Sequence, residues 1–138
     1  MALQYGTTLR NNQLDQIEVT VGTTAHLRLY SGSPPVDCAT AASGTMLCDL
    51  TLPSDWMTAA AAGVKSLTGS WTGTGDAGAG TGTAAGYFRV WDTAISVTSV
   101  QGTVTVTGGG GDMTVDNVSI ASGQTVTVNT FAVTAGNP

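Results

Sequence analysis

Charge is what this sequence has least of. Asp, Glu, Lys and Arg make up 9% of its 138 residues, against about 25% in an ordinary soluble domain. Only Arg10, Arg28, Lys65 and Arg89 are basic, and they are scattered along the chain. With no cluster of cations to neutralise phosphates, nucleic acid is excluded as an expected partner. An anionic membrane surface is excluded for the same reason. Nine acidic residues bring the formal net charge to −5, so a partner with a neutral or basic surface is expected.

Long hydrophobic runs are missing too. The longest run of small apolar residues, Ala59–Val64, is too short and too rich in Gly and Ala to span a bilayer. The opening Met1–Tyr5 has no basic segment followed by an apolar one, so no secretory signal is expected. That points to synthesis in a host cytoplasm and, if the protein leaves, to release by lysis.

Catalytic and metal-ligating side chains are sparse. His26 is the single histidine, at the head of an alternating segment, and reads as a partly exposed residue at a strand end. Cys38 and Cys48 form no CxxC. They read as two reduced thiols, with a loop-closing disulfide or half of a metal site as the alternative. Asp112 and Asp116 flank a short strand but lack the close ligand spacing of a calcium loop, so they read as turn formers. Neither Gly73–Gly86 nor Gly108–Gly111 leads into a helix or a Gly-Lys-Ser/Thr motif, which weakens a phosphate-cradle reading. Trp56, Trp71 and Trp91 suit packing better than a sugar platform. No catalytic constellation, cofactor or metal is expected, and the chain reads as a non-enzyme.

What is present is a core with strand signals. Apolar residues reach 41%, and a chain of this length buries roughly two-thirds of its unfolded surface. Leu14, Ile17 and Val21 make one apolar stripe, predicting a helix over 8–22. Thr7 or Thr8 is its expected N-cap, and Gly22 its left-handed end. Arg10, Asn11, Asn12, Asp15 and Glu18 fall on its polar face.

Beyond Gly22 the period becomes two. Strands are predicted from His26 to the Gly-Ser-Pro-Pro stop, over Met46–Leu52, over Lys65–Gly73, over Tyr87–Asp92, over Ile95–Thr107, over Asp112–Val115 and over Gln124–Ala135. A short helical turn is expected at Ser54–Met57. Gly73–Gly86 reads as an exposed loop with almost nothing to bury. Val126 and Val128 have the opposite parity to Phe131 and Val133, which calls for a bulge near Asn129-Thr130. In Tyr87–Asp92 the large side chains occupy both faces, so a second cover is expected outside the core, such as another copy in a dimer or trimer. The expected fold is mainly β: one domain with an N-terminal arm (1–7), the helix (8–22) and a β-sandwich or jelly-roll-like body (23–138).

The segments Leu9–Glu18, Leu27–Pro35, Gly44–Pro53, Ala85–Asp92, Asp112–Ile120 and Gly123–Val128, in this order, resemble small proteins encoded among the structural genes of tailed bacteriophages and prophages. The resemblance covers most of the chain, through strand and turn signatures and not a chemical fingerprint. It implies a virion component. The expected role is a capsid cement or decoration protein that binds the major capsid protein and stabilises the mature head. A connector, tail or fibre-base component and a carbohydrate-binding receptor module are the alternatives. On that expectation the arm, the helix face and Gly73–Gly86 make the contacts. Tyr5, Arg10, Asp15, Tyr30, Trp56, Asp76, Arg89 and Trp91 are the candidate interface residues.

Overall fold

The computed structural model describes residues 2–137; Met1, at the tip of the expected arm, and Pro138 lie outside the described residues. One helix, α1 (Thr7–Val21), precedes nine strands: β1 (His26–Ser31), β2 (Met46–Thr51), β3 (Val64–Ser66), β4 (Thr72–Gly75), β5 (Thr83–Trp91), β6 (Thr98–Val106), β7 (Met113–Val115), β8 (Ser119–Ile120) and β9 (Thr125–Thr134). The mainly β class with an N-terminal helix is therefore observed. Seven strands close on themselves in the order β1-β2-β4-β9-β7-β6-β5, with β5 returning to β1. Closure leaves no free edge in the ring, which removes the usual template for edge-to-edge aggregation. Two short strands stand outside it, β3 on β9 and β8 on β5.

Every pair in the ring is antiparallel except β6–β7, which runs parallel with Val104 beside Met113 and Val106 beside Val115. A parallel pair ordinarily needs a crossover of about a dozen residues. Here the glycine run Gly108–Gly111 folds back over Thr105, whose hydroxyl accepts from the Gly111 N–H at 3.0 Å. Asp112 then lies beside Thr103, and its carboxylate accepts from the Thr103 N–H and hydroxyl, both at 2.8 Å. The chain thus returns along β6 before setting out again in the same direction.

The interior is filled by inward residues of both halves of the ring. Leu27, Leu29, Leu47, Phe88, Val90, Met113, Val115 and Val126 are all at most 1% exposed. Aromatic rings run through the middle, with Trp56 5.9 Å from Trp71, Trp71 5.6 Å from Phe131 and Phe131 5.6 Å from Phe88. Burying each such side chain contributes about 1.5–3 kcal/mol. Trp56 does not start a helical turn as expected. It enters the core, donates its indole N–H to the Gly22 carbonyl at 3.1 Å, and ties the helix end to the barrel.

Two other expectations change. The strand expected over Lys65–Gly73 is broken into β3 and β4, both paired with β9. Between them the Leu67 N–H still donates to Phe131, and Trp71 O still accepts from Val128, while Thr68–Ser70 bulge out. Gly73–Gly86, expected to be an exposed loop, contains β4, a single 3-10 turn at Ala77–Ala79 and the start of β5. Its glycines permit close backbone approach: a Cβ on Gly75 would overlap the Ala121 carbonyl oxygen, and one on Gly86 the Gly32 carbonyl oxygen. The bulge in the last strand falls where parity requires it, since Thr114 pairs with Thr130 and Val115 with Val128, leaving Asn129 as the extra residue.

Helix α1 buries Leu14 and Val21 and ends on Gly22 as expected; its φ of 99° favours glycine, but its ψ of 177° is extended, so it is not the left-handed helical cap expected. Its N-cap is Gly6 with no side-chain cap, not Thr7 or Thr8. Part of the polar face is engaged by the chain itself, while Asn12 stays exposed. Asn11 Oδ1 accepts from the Gly63 N–H, Asp15 Oδ1 from Ala60, and Glu18 Oε1 from Met57, at 2.9, 3.0 and 2.9 Å. These three residues form one stripe along the helix. They satisfy backbone donors of a segment that has little ladder pairing of its own. Lys65, 2% exposed, sits between Asp15 (2.8 Å) and Glu18 (2.9 Å).

Candidate functional site

The outer face of β5 is covered by the chain itself. Residues 32–45 leave β1 and cross over Tyr87, Arg89 and Gln101 as a strap. Three contacts hold it. Tyr87 Oη donates to the Ser43 carbonyl and accepts from the Ser43 N–H. Arg89 Nη2 donates to the Asp37 carbonyl at 3.1 Å, and Gln101 Nε2 to the Pro35 carbonyl at 2.7 Å. Within the strap, Asp37 accepts from the Thr40 hydroxyl and N–H, which holds its carboxyl below the usual range. The second cover expected for Tyr87–Asp92 is therefore intramolecular, and the argument from this strand for a dimer or trimer no longer applies.

Under the strap lies a cavity of about 500 Å³ lined by Cys38–Ala41, Arg89, Trp91 and Ser96–Thr98. Arg89 is 1% exposed. Its guanidinium lies 5.8 Å from the Trp91 ring centroid and donates to Thr98 Oγ1 at 3.3 Å. Arg89 Nε and Trp91 Nε1 are buried and meet no acceptor in the protein, and Gln101 Oε1 meets no donor.

The candidate interface residues thus divide. Tyr30, Trp56 and Arg89 are buried by their own chain, so they are not available as exposed anchors. Tyr30 stacks on Tyr87 with centroids 5.0 Å apart. Arg10 donates to the Ala135 carbonyl at 2.8 Å, and Asp15 binds Lys65. Both bond within their own chain, and helix periodicity does not say which segment a polar face meets. Asp76 is exposed and caps the 3-10 turn through the Gly78 N–H. Tyr5 and Trp91 are half-buried, and the Tyr5 N–H donates to Asn137 Oδ1. Of the eight, the structure brings together Tyr30, Arg89 and Trp91 under or beside the strap, and Tyr5 and Arg10 near the chain's end.

Sequence reasoning missed the outward helix side. Leu3, Leu9 and Val19 are 66%, 49% and 72% exposed. A shallow groove of about 210 Å³ runs between α1 and β6, lined by Gln13, Gln16, Ile17, Thr20, Val21, Ser99 and Val100. The signal was there in Leu9 and Val19, apolar positions off the Leu14–Val21 stripe.

His26 Nδ1 and Arg28 Nε both contact Asp49, each at 2.8 Å, on adjacent paired strands. The cysteines are both free; Cys38 is half-buried in the strap and Cys48 buried in the core, where burial pushes its thiol up to about 11. A thiol so placed is a poor nucleophile. Among the described residues no three His, Cys, Asp or Glu side chains gather as a metal set, and no helix is long and apolar enough to cross a membrane. Trp56 and Trp71 are core residues, so the three tryptophans do not form one exposed sugar-binding platform. Compared with known proteins, the chain matches no family model, no curated protein and no solved structure.

Proposed function

We propose that this chain is a non-enzymatic structural protein of a tailed-phage virion, a cement or decoration protein that binds the major capsid protein and stabilises the mature head. The observation that carries the reading is the engagement of its cations. Arg10 is bonded to Ala135, Arg28 to Asp49 and Lys65 to Asp15 and Glu18, while Arg89 lies under the strap. The exposed surface is left mainly to hydroxyls, amides, glycine and carboxylates, with single exposed apolar residues among them, Leu3, Leu9 and Val19 on the arm and helix and Val36 and Val97 elsewhere. Such a surface suits a protein partner.

We assign the exposed apolar residues of the arm and helix, Leu3, Leu9 and Val19, to contact with the capsid protein rather than with a second copy. A ligand that binds only the mature lattice stabilises that state by linkage, and modest contacts repeated over a shell add up. We read the arm, helix and barrel as one domain, supported by the bonds from Tyr5 and Arg10 to Asn137 and Ala135. A jelly-roll-like description of the barrel belongs to the same proposal. Its support is strand neighbours far apart in sequence, β1 with β5 and β4 with β9, as Greek-key sandwiches have.

The test is thermal melting of purified heads lacking this protein, with and without its addition. The account expects a higher melting temperature, and Leu9→Asp with Val19→Asp removing the gain while the free protein melts unchanged. No gain with the unmodified protein would refute the role.

A further inference from the structure

We propose that the cavity beneath the strap binds a carboxylate, received by Arg89 through its guanidinium edge and by Trp91 through its indole N–H. The inference stands on this cavity alone and does not depend on the virion reading. Arginine keeps its charge at any ordinary pH, and a buried charge is costly unless an opposite charge meets it. Yet the two acceptors that Arg89 finds, Thr98 Oγ1 and the Asp37 carbonyl, are both neutral. Ion pairs among the described residues engage His26, Arg28 and Lys65, and none includes Arg89. The carboxylate of Asp37 bonds to Thr40 and makes no ion pair with Arg89, whose charge it feels only weakly from a distance.

Two buried donors, Arg89 Nε and Trp91 Nε1, remain without an acceptor; both residues line the same cavity, and because the two atoms are sealed from solvent, binding requires a small shift of the strap's exposed Ala39–Ala41 to admit the carboxylate. A guanidinium edge matches a planar pair of oxygens, as in bidentate arginine–carboxylate pairing. Charge favours that anion over phosphate: one buried cation in a chain of net charge −5 balances a single negative charge, not two. The cavity, at about 500 Å³, lies within the size range of small-ligand sites, roughly 300–1,000 Å³. Ala39, Ala41 and Val97 line it beside the polar pair, so the carboxylate is expected on a short apolar body. Free short-chain acids and a glutamate side chain of another polypeptide both have that chemistry.

The experiment follows the Arg89 Nε–H and Trp91 Nε1–H resonances of the 15N-labelled full chain. Butyrate, N-acetylglutamate α-amide, inorganic phosphate and chloride are titrated in turn at matched ionic strength. Saturable shifts with a carboxylate beyond those with chloride or phosphate are expected. Tighter binding of butyrate would point to a free acid, and tighter binding of the glutamate derivative to a polypeptide. Arg89→Met is expected to weaken binding about tenfold or more, from loss of a charged hydrogen bond. Should that variant fail to fold, Trp91→Phe, at a half-buried position, is expected to weaken binding about threefold. The proposal is overturned if neither carboxylate moves these resonances more than chloride does, or if a folded Arg89→Met chain binds both as the unmodified protein does.

Discussion

Single residues are set in this protein by how closely backbones approach. Gly75 has no room for a Cβ against Ala121, whereas a Cβ on Gly136 would meet nothing within 4 Å. Gly75→Ala is therefore expected to lower stability by about 1–3 kcal/mol, the usual cost of overpacking, and Gly136→Ala to leave it unchanged. Denaturant titration of both variants checks this, and equal midpoints would contradict it. Trp56→Ala removes a fully buried ring and the bond to Gly22, and is expected to cost about 3–5 kcal/mol. In the sequence, the stop at Gly22 was legible because helix ends have a local signature, though not its extended ψ. The role of Gly75 was not, because its crowding partner Ala121 is far away along the chain.

At the scale of elements, the helix is held by charge as much as by apolar contact. The hydrogen bond from Lys65 holds the Asp15 carboxyl below its ordinary 3.8, with the Ala60 N–H adding to the effect. Burial pulls the Lys65 ammonium down, but its bonds to Asp15 and Glu18 outweigh that and raise it above 10.5. A depressed acid contributes stability above its unfolded value and loses it as pH falls through the folded one. A raised base contributes below its unfolded value and loses that as pH climbs through the folded one. Protection of α1 amides from hydrogen exchange is thus expected to be level between these two values, falling below 3.8 and above 10.5. Lys65→Gln is expected to lower protection at neutral pH and to flatten the alkaline limb; an unchanged limb would contradict this account.

The strap makes a second prediction at this scale. Tyr87→Phe removes both bonds to Ser43, so amides of residues 33–45 should exchange faster while those of β5 hold. Uniform protection would show that the tyrosine does not hold the strap. The alternation of Tyr87, Arg89 and Trp91 against Phe88 and Val90 was readable, and so was the need for a cover. That the cover is residues 32–45 was not readable, because a stretch of mostly small residues and two prolines has no period to place it. The bulge at Asn129 was legible from parity alone. The break between β3 and β4 was not, since Leu67 and Trp71 keep one face through it.

For the whole molecule, the sequence announced strands but not how they join. Ring closure depends on β5 meeting β1 and β9 meeting β4 across long stretches of chain, and local alternation says nothing of partners. The parallel β6–β7 pair runs against the expectation for so short a connection, and the fold-back of Gly108–Gly111 over Thr105 with the contact of Asp112 to Thr103 accounts for it. The proposed virion role rests on the same strand and turn signatures and is not carried by any match to a known protein. Its central claim is that many copies of this chain cover a capsid. Quantitative mass spectrometry of purified particles, measured against the major capsid protein, tests that most directly. The account predicts a copy number on the scale of the shell's lattice positions; only a few copies per particle, or none, would contradict it.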